Sequence, residues 1–103
     1  MIMTDCQTKS WIFLSTAIAS QIEPADFNSI SNIADGINHA IPTHKELQSS
    51  LSWLTVAGLV TRKGNKYSLT EKGKMDYETA SRQSLGILKI WEYLETDLLK
   101  YQN

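Results

Sequence analysis

Residues 43–74 read THKELQSSLSWLTVAGLVTRKGNKYSLTEKGK, and this stretch decides the fold. Thr43 and Glu46 have the spacing of a capping box, in which each side chain hydrogen-bonds to the other residue's backbone amide at the start of a helix. Gly58 is a typical stop signal, so a helix is predicted over about 43–57. Leucines at helical spacing predict its buried stripe, and they are Leu47, Leu51 and Leu54.

A β-hairpin is predicted over about 60–69, because strand-type residues replace the helical periodicity there. Gly64 and Asn65 suit its two-residue loop, since glycine adopts a positive φ without steric cost. Thr70 then predicts the N-cap of a further helix that extends to about Ser81. The centre of the chain is therefore expected to fold as helix, hairpin and helix.

Further helices are predicted on both sides of this stretch. The first runs from Ser10, its expected N-cap, to Ile22, the last residue of its predicted buried stripe. A second is predicted from about Ala25 to Asn38, and a last one from Leu85 to Tyr101. We expect residues 1–9 to be a disordered N-terminus and residues 10–82 to form the main body of the domain. Residues 83–103 are expected to form a C-terminal helix of the same domain.

Length and composition bound the class of protein. The chain has 103 residues and a mass of 11.6 kDa, which suits one domain, and 42% of its residues are apolar, enough for a packed core. Cys6 is the only cysteine, which excludes an internal disulfide. No apolar run approaches the roughly 20 residues of a membrane-spanning helix, and the signal-like segment that starts near Lys9 is preceded by the acidic Asp5. We therefore expect a cytoplasmic protein with no membrane partner.

Three runs of the sequence carry a resemblance to known regulators. The run from Leu47 to Val60 resembles the "EL...L..L...GLV" stretch, and residues 67–74 resemble the "Y.LT.KG" stretch, of MarR-type and PadR-type regulators. Residues 34–43 resemble the "D.INHAI.T" stretch of small bacterial winged-helix proteins. The resemblance covers about residues 10–80. It implies an α+β, mostly α fold, the winged helix-turn-helix, with three helices, a β-hairpin wing and C-terminal helices.

Charge is segregated along the chain. Residues 42–82 carry seven Lys or Arg and four Asp or Glu, whereas 1–41 and 83–103 have net charges of −3 and −1. The positive charge thus falls on the expected recognition helix and wing, as a phosphate-binding face requires. The resemblance implies a small transcriptional regulator that binds duplex DNA. The DNA-binding residues that it implies are Thr43, His44, Lys45, Gln48, Ser49, Ser52, Arg62, Lys63 and Lys66.

The last helix predicts a homodimer. Apolar residues at spacings of 4, 3, 4 and 3 form a heptad seam, and we expect them to form the dimer interface: Ile87, Trp91, Leu94, Leu98 and Tyr101. A second apolar row widens the stripe, and it consists of Leu85, Leu88 and Leu99. The alternative is that the seam packs on the first helix of the same chain.

Other functions compete with DNA binding. The expected recognition helix carries one Lys, no Arg and the acidic Glu46, which favours a winged-helix module that binds another protein instead. A third interpretation is a ligand-sensing gap between the first and last helices, lined by Trp11, Phe13 and Trp91.

Metal and catalytic chemistry are not predicted. His39 and His44 straddle a turn at a spacing unlike that of metal ligands on one helix, and His39 is expected to cap the second helix. The serines, histidines and aspartates lack the motifs that accompany a catalytic nucleophile. We therefore expect neither enzyme activity nor a cofactor.

Overall fold

The computed structural model describes residues 3–101; residues 1, 2, 102 and 103 lie outside the described part. The described residues form α-helices and a two-stranded antiparallel sheet, which confirms the predicted class, α+β and mostly α. The helices are α1 (Asp5–Ala19), α2 (Phe27–Asn38), α3 (His44–Val56), α4 (Glu71–Gln83) and α5 (Ile87–Leu98). The strands, between α3 and α4, are β1 (Val60–Lys63) and β2 (Lys66–Leu69), and a 3₁₀ turn, Leu99–Tyr101, follows α5.

The N-terminal segment is ordered, so the prediction of disorder over 1–9 is wrong for its described part. Helix α1 begins at Asp5, and Thr4 rather than Ser10 is its N-cap. The Thr4 amide donates to Gln7 Oε1 at 2.8 Å, and the Gln7 amide donates to Thr4 Oγ1 at 3.1 Å. This capping box gives partners to amides that a helix start otherwise leaves open, and it starts the helix in a segment of polar composition.

The middle of α1 is buried on all sides because it packs against α2, α3 and α5. Every residue from Trp11 to Ala17 is buried. The prediction that this helix extends to Ile22 is wrong, since α1 ends at Ala19 and Ile22 is 99% exposed. Buried hydroxyls donate to carbonyl oxygens within α1 and are thereby satisfied, and they belong to Ser10, Ser15 and Thr16.

An extended segment after α1 returns the chain to the hairpin. The amides of Ala25 and Tyr67 each donate to the other's carbonyl oxygen at 2.8 Å, which forms an isolated antiparallel bridge. Helix α2 therefore starts at Phe27, with Asp26 as its N-cap, slightly later than predicted. The bridge fixes the start of α2 beside the hairpin.

The boundaries of the third helix are confirmed. Thr43 and Glu46 form the predicted capping box. The Glu46 amide donates to Thr43 Oγ1 at 3.0 Å, and the Thr43 amide donates to Glu46 Oε1 at 2.8 Å. Gly58 has a φ of 80°, and its amide donates to the Thr55 carbonyl at 3.1 Å. The next amide, of Leu59, reaches back to a carbonyl in the last turn of α3, so the helix ends in a Schellman motif.

The hairpin is also confirmed. Its register pairs Val60 with Leu69 and Lys63 with Lys66, which leaves a two-residue loop. Gly64 takes the positive φ of that loop, 65°. The fourth helix is slightly longer than predicted and ends at Gln83.

Two residues of the predicted heptad seam belong to the chain's own core, which corrects their assignment to the dimer interface. Leu94 and Leu98 are fully buried, because α5 packs on α1 and α4. Tyr101 donates its hydroxyl to Asp76 Oδ2 at 3.0 Å, and Ile87 is 37% exposed. The second apolar row is the exposed one, and its members Leu85, Leu88 and Leu99 are 105%, 60% and 51% exposed.

The predicted ligand gap between α1 and α5 is filled by side chains around Trp11 and Phe13. Trp11 and Phe13 are buried, and the rings of Trp11 and Trp91 stack with their centroids 6.2 Å apart. The indole nitrogen of Trp91 donates to the Gln7 carbonyl at 3.1 Å and to Ser10 Oγ at 3.0 Å. These bonds fix the ring of Trp91, which is half-buried and lines a surface concavity with Gln7 and Leu88. Trp11 and Phe13 belong to the core and do not line that concavity.

Candidate nucleic-acid interface

The residues predicted to contact DNA lie on the outer surfaces of α3 and the hairpin. The buried leucines of α3 occupy one side of the helix, and its polar side chains therefore occupy the other. The nine predicted residues are all exposed: Thr43, His44, Lys45, Gln48, Ser49, Ser52, Arg62, Lys63 and Lys66.

Four of these residues line one groove between α3 and the hairpin. The groove has a volume of about 460 Å³. Phe27 and Tyr67 provide aromatic walls, and their ring centroids lie 5.9 Å apart. The ring centroid of Phe27 also lies 5.3 Å from that of His44. Sequence reasoning did not assign either ring to the site, because the Ala25–Tyr67 bridge that brings α2 to the hairpin had no signal in the sequence. The predicted residues in the groove are His44, Gln48, Ser52 and Arg62.

Arg62 is held at the edge of this groove by two contacts. Its Nε donates to the Gly64 carbonyl at 2.7 Å, and its guanidinium carbon lies 5.9 Å from the centre of the Tyr67 ring. Tyr67 is its partner in the strand register. The guanidinium is thereby positioned between the loop of the hairpin and α3.

Lys63 and Lys66 face each other across the end of the hairpin. Like charges directly opposite each other in an antiparallel pair repel and destabilise it. A polyanion beside this pair would relieve the repulsion. The arrangement therefore suits a phosphate contact, although lysines also keep a hairpin edge soluble.

Lys45 and Ser49 lie outside the groove. They line a separate concavity of about 470 Å³ on the side of α3 that faces α1, together with Lys9 and Trp53. The set predicted from the sequence is thus divided between two sides of α3. Lys9 was not among the predicted residues, since it lies far from α3 in the sequence.

One carboxylate opposes anion binding in the groove. Asp26 lines it and caps α2 by accepting the Ser29 amide at 2.9 Å. Hydrogen bonds from Ser29, with a smaller effect of the Lys66 charge, hold the pKa of Asp26 below its usual value. The side chain is therefore charged at neutral pH, and it favours contacts from amides or hydroxyls of a ligand at this end of the groove.

The hairpin is fixed to the end of α3 by the residues of the 67–74 run. Thr70 Oγ1 donates to the Gly58 carbonyl at 2.6 Å and accepts the Gly73 amide at 3.1 Å. Lys72 Nζ lies 4.3 Å from the centre of the Tyr101 ring and 3.5 Å from the Ala57 carbonyl oxygen. This run therefore sets the orientation of the hairpin relative to α3.

His39 ends α2 as predicted, as its C-cap, with a φ of 54°. Among residues 3–101, no cluster of three or more His, Cys, Asp or Glu side chains could hold a metal ion. Within the same range, no helix is long and apolar enough to cross a membrane.

Comparisons of the chain with protein-family models, curated proteins and solved structures return no match. The geometry of α3, the hairpin and the groove between them is therefore the basis for inferring a function.

Proposed function

We propose that the protein is a winged helix-turn-helix regulator that binds duplex DNA as a homodimer. One observation carries the proposal: the polar face of α3 and Arg62 of the hairpin line a common groove, where Gln48 and Ser52 lie beside Arg62. In this interpretation α3 is the recognition helix and β1–β2 is the wing.

The dimensions of α3 suit the major groove of DNA. Its 13 residues span about 20 Å at 1.5 Å per residue, and the major groove is wide enough to admit a helix. Gln48 has the amide that pairs with an adenine edge, and Ser52 adds a hydroxyl. Arg62, Lys63 and Lys66 would contact phosphates beside the helix, which positions the protein without reading sequence.

Dimerisation supplies the contacts that one chain lacks. Tight DNA complexes commonly neutralise about 6–10 phosphates, and one chain presents fewer cations than that on this face. The exposed leucines of α5 offer a surface for the second copy in place of the buried seam. Leu88 lies on α5, Leu85 precedes the helix, and Leu99 follows it in the 3₁₀ turn.

A winged-helix module that binds a protein remains the second candidate. Asp26 in the groove and Glu46 on α3 favour it, because carboxylates repel phosphates. A labelled mixed-sequence duplex, titrated at about 50 mM and then about 200 mM salt, distinguishes the two. A DNA-binding regulator loses affinity steeply as salt rises. A protein-binding module shows no DNA binding at either concentration.

A further inference from the structure

A lysine from α1 lies against the side of α3 that faces α1, about 100° around the helix from the residues that line the groove. Lys9 Nζ is 4.7 Å from the centre of the Trp53 ring, within the range in which an aromatic face attracts a cation. Both side chains are half-buried. The indole face therefore holds the ammonium group of Lys9 beside α3.

The contact with Trp53 changes how the charges of the chain are distributed. Along the sequence Lys9 belongs to an acidic segment, residues 1–41, of net charge −3. In the fold it lines the concavity beside α3 that also contains Lys45 and Ser49. Cationic side chains thus lie on both sides of α3, with Arg62 on the hairpin side and Lys9 on the α1 side.

A helix in the major groove lies between the phosphate backbones of two strands. Each side of the helix then faces a different backbone. The hairpin cations serve only one of these sides. A cation held on the other side matches the second backbone.

We propose that Lys9 is a phosphate-contact residue for the DNA backbone on the α1 side of α3, opposite the backbone that the hairpin contacts. Trp53 is its positioning residue, because the ring fixes the ammonium group beside α3. The proposal rests on the proposed DNA-binding function and adds a contact outside the helix and the wing.

Two carboxylates in the same concavity weaken this contact. Glu46 is held by its bond to the Thr43 amide at 2.8 Å, and Asp5 is exposed in the first turn of α1. Their negative charges repel a phosphate at this side of α3. Removal of the Asp5 charge should therefore strengthen DNA binding, whereas removal of the Lys9 charge should weaken it.

The test is the salt dependence of DNA binding, measured by fluorescence anisotropy with a labelled mixed-sequence duplex. Lys9→Gln removes the charge, Lys9→Arg keeps it, and Lys89→Gln is the control on α5, where the lysine side chain is 71% exposed. We expect Lys9→Gln to reduce the slope of log affinity against log salt by about 0.9 for each bound chain, and therefore by about 1.8 for the proposed homodimer. Lys9→Arg and Lys89→Gln should keep the wild-type slope.

The outcomes separate this proposal from the proposed function. If Arg62→Gln reduces the slope while Lys9→Gln matches Lys89→Gln, the Lys9 contact is wrong and DNA binding by the hairpin stands. If the wild-type protein shows no salt-dependent binding, both are wrong. Thermal unfolding checks that each variant is folded.

Asp5→Asn provides an independent test should Lys9→Gln unfold. It leaves the Thr4–Gln7 capping box intact. We expect higher DNA affinity at about 50 mM salt for Asp5→Asn than for Glu92→Gln, the matched loss of a carboxylate on α5. Equal affinities for these two variants would overturn the proposal.

Discussion

The Cα of Gly73 packs against the backbone carbonyl of Leu59, so closely that a Cβ at position 73 would overlap the carbonyl oxygen. The contact joins the first turn of α4 to the residue between α3 and β1. The Thr70 amide donates to the same carbonyl at 3.1 Å. The base of the hairpin is therefore held by backbone contacts that leave no room for a side chain, which explains the glycine of the 67–74 run.

Gly73→Ala should destabilise the protein by about 1–3 kcal/mol, because the added methyl group must displace backbone in a packed region. Gly36→Ala is the matched control. Gly36 lies inside α2 with no atom within 4 Å of a Cβ added there, and alanine should stabilise this helix by about 0.5–1 kcal/mol. Urea unfolding measures the stability of both variants. Equal stability of Gly73→Ala and the wild type would contradict this account of the hairpin base.

His39→Gly should stabilise the protein by about 0.5–1 kcal/mol. His39 has a φ of 54°, a left-handed conformation that costs a residue with a Cβ about 1–2 kcal/mol, part of which the greater freedom of glycine in the unfolded chain offsets. His39→Ala keeps the Cβ and should bring no gain. The urea midpoints of the two variants test this, and a gain for alanine equal to that for glycine would show that the backbone strain is not the cause.

Asp76→Asn should stabilise the protein more at pH 7 than at pH 3.5. Burial, with the nearby Asp97 charge, raises the pKa of Asp76 above its usual value. A raised pKa in the folded state means that folding favours the protonated form, so stability is lost as pH rises through that pKa. Asparagine carries no charge at either pH and can still accept the Tyr101 hydroxyl.

The measurement is the melting temperature of Asp76→Asn and of the wild type at both pH values, with Glu78→Gln as the control. Glu78 is exposed on the same helix. Asp97, Lys100 and Tyr101 surround Asp76, and they are unchanged in the variant, so their own titration largely cancels in the comparison. A difference between Asp76→Asn and wild type that does not change with pH would refute the prediction.

The double variant Leu88→Gln, Leu99→Gln should convert a dimer into a monomer. Both leucines are more than half exposed within one chain, so their replacement should change the stability of the monomer by no more than about 0.5 kcal/mol. Ile22→Gln is the control, since Ile22 is 99% exposed far from α5 in the chain. Sedimentation analysis gives the mass in solution of the wild type, the double variant and Ile22→Gln. A dimer that persists in the double variant would show that the interface lies elsewhere.

The local signals of the sequence were sufficient for the central part of the fold. The Thr43–Glu46 capping box and Gly58 set both ends of α3, and Gly64 set the loop of the hairpin. Each of these signals acts through bonds between residues close in the chain. Such bonds form in the same way whatever the rest of the molecule does, and the sequence alone therefore predicted them.

One error was a missed local signal, and the others arose where distant segments decide the structure. The polar composition of residues 1–9 suggested disorder, although Thr4 and Gln7 carry a capping box that sequence inspection could have found. The heptad spacing of α5 fits packing on α1 as well as pairing with a second chain, and only the fold shows that Leu94 is buried. Lys9 joins the candidate interface only because α1 packs beside α3.

The central claim is that the hairpin cations bind the phosphates of duplex DNA. The most direct measurement is fluorescence anisotropy with a labelled mixed-sequence duplex, at about 50 mM and about 200 mM salt. The variant Arg62→Glu, Lys63→Glu, Lys66→Glu is compared with Lys74→Glu, Arg82→Glu, Lys89→Glu, which changes the net charge equally on α4 and α5.

The account predicts salt-sensitive binding by the wild type, loss of most of that binding in the hairpin variant, and retention of it in the control. Circular dichroism confirms that both variants remain folded. Absence of wild-type binding at about 50 mM salt, or equal losses in the two triple variants, would contradict the claim.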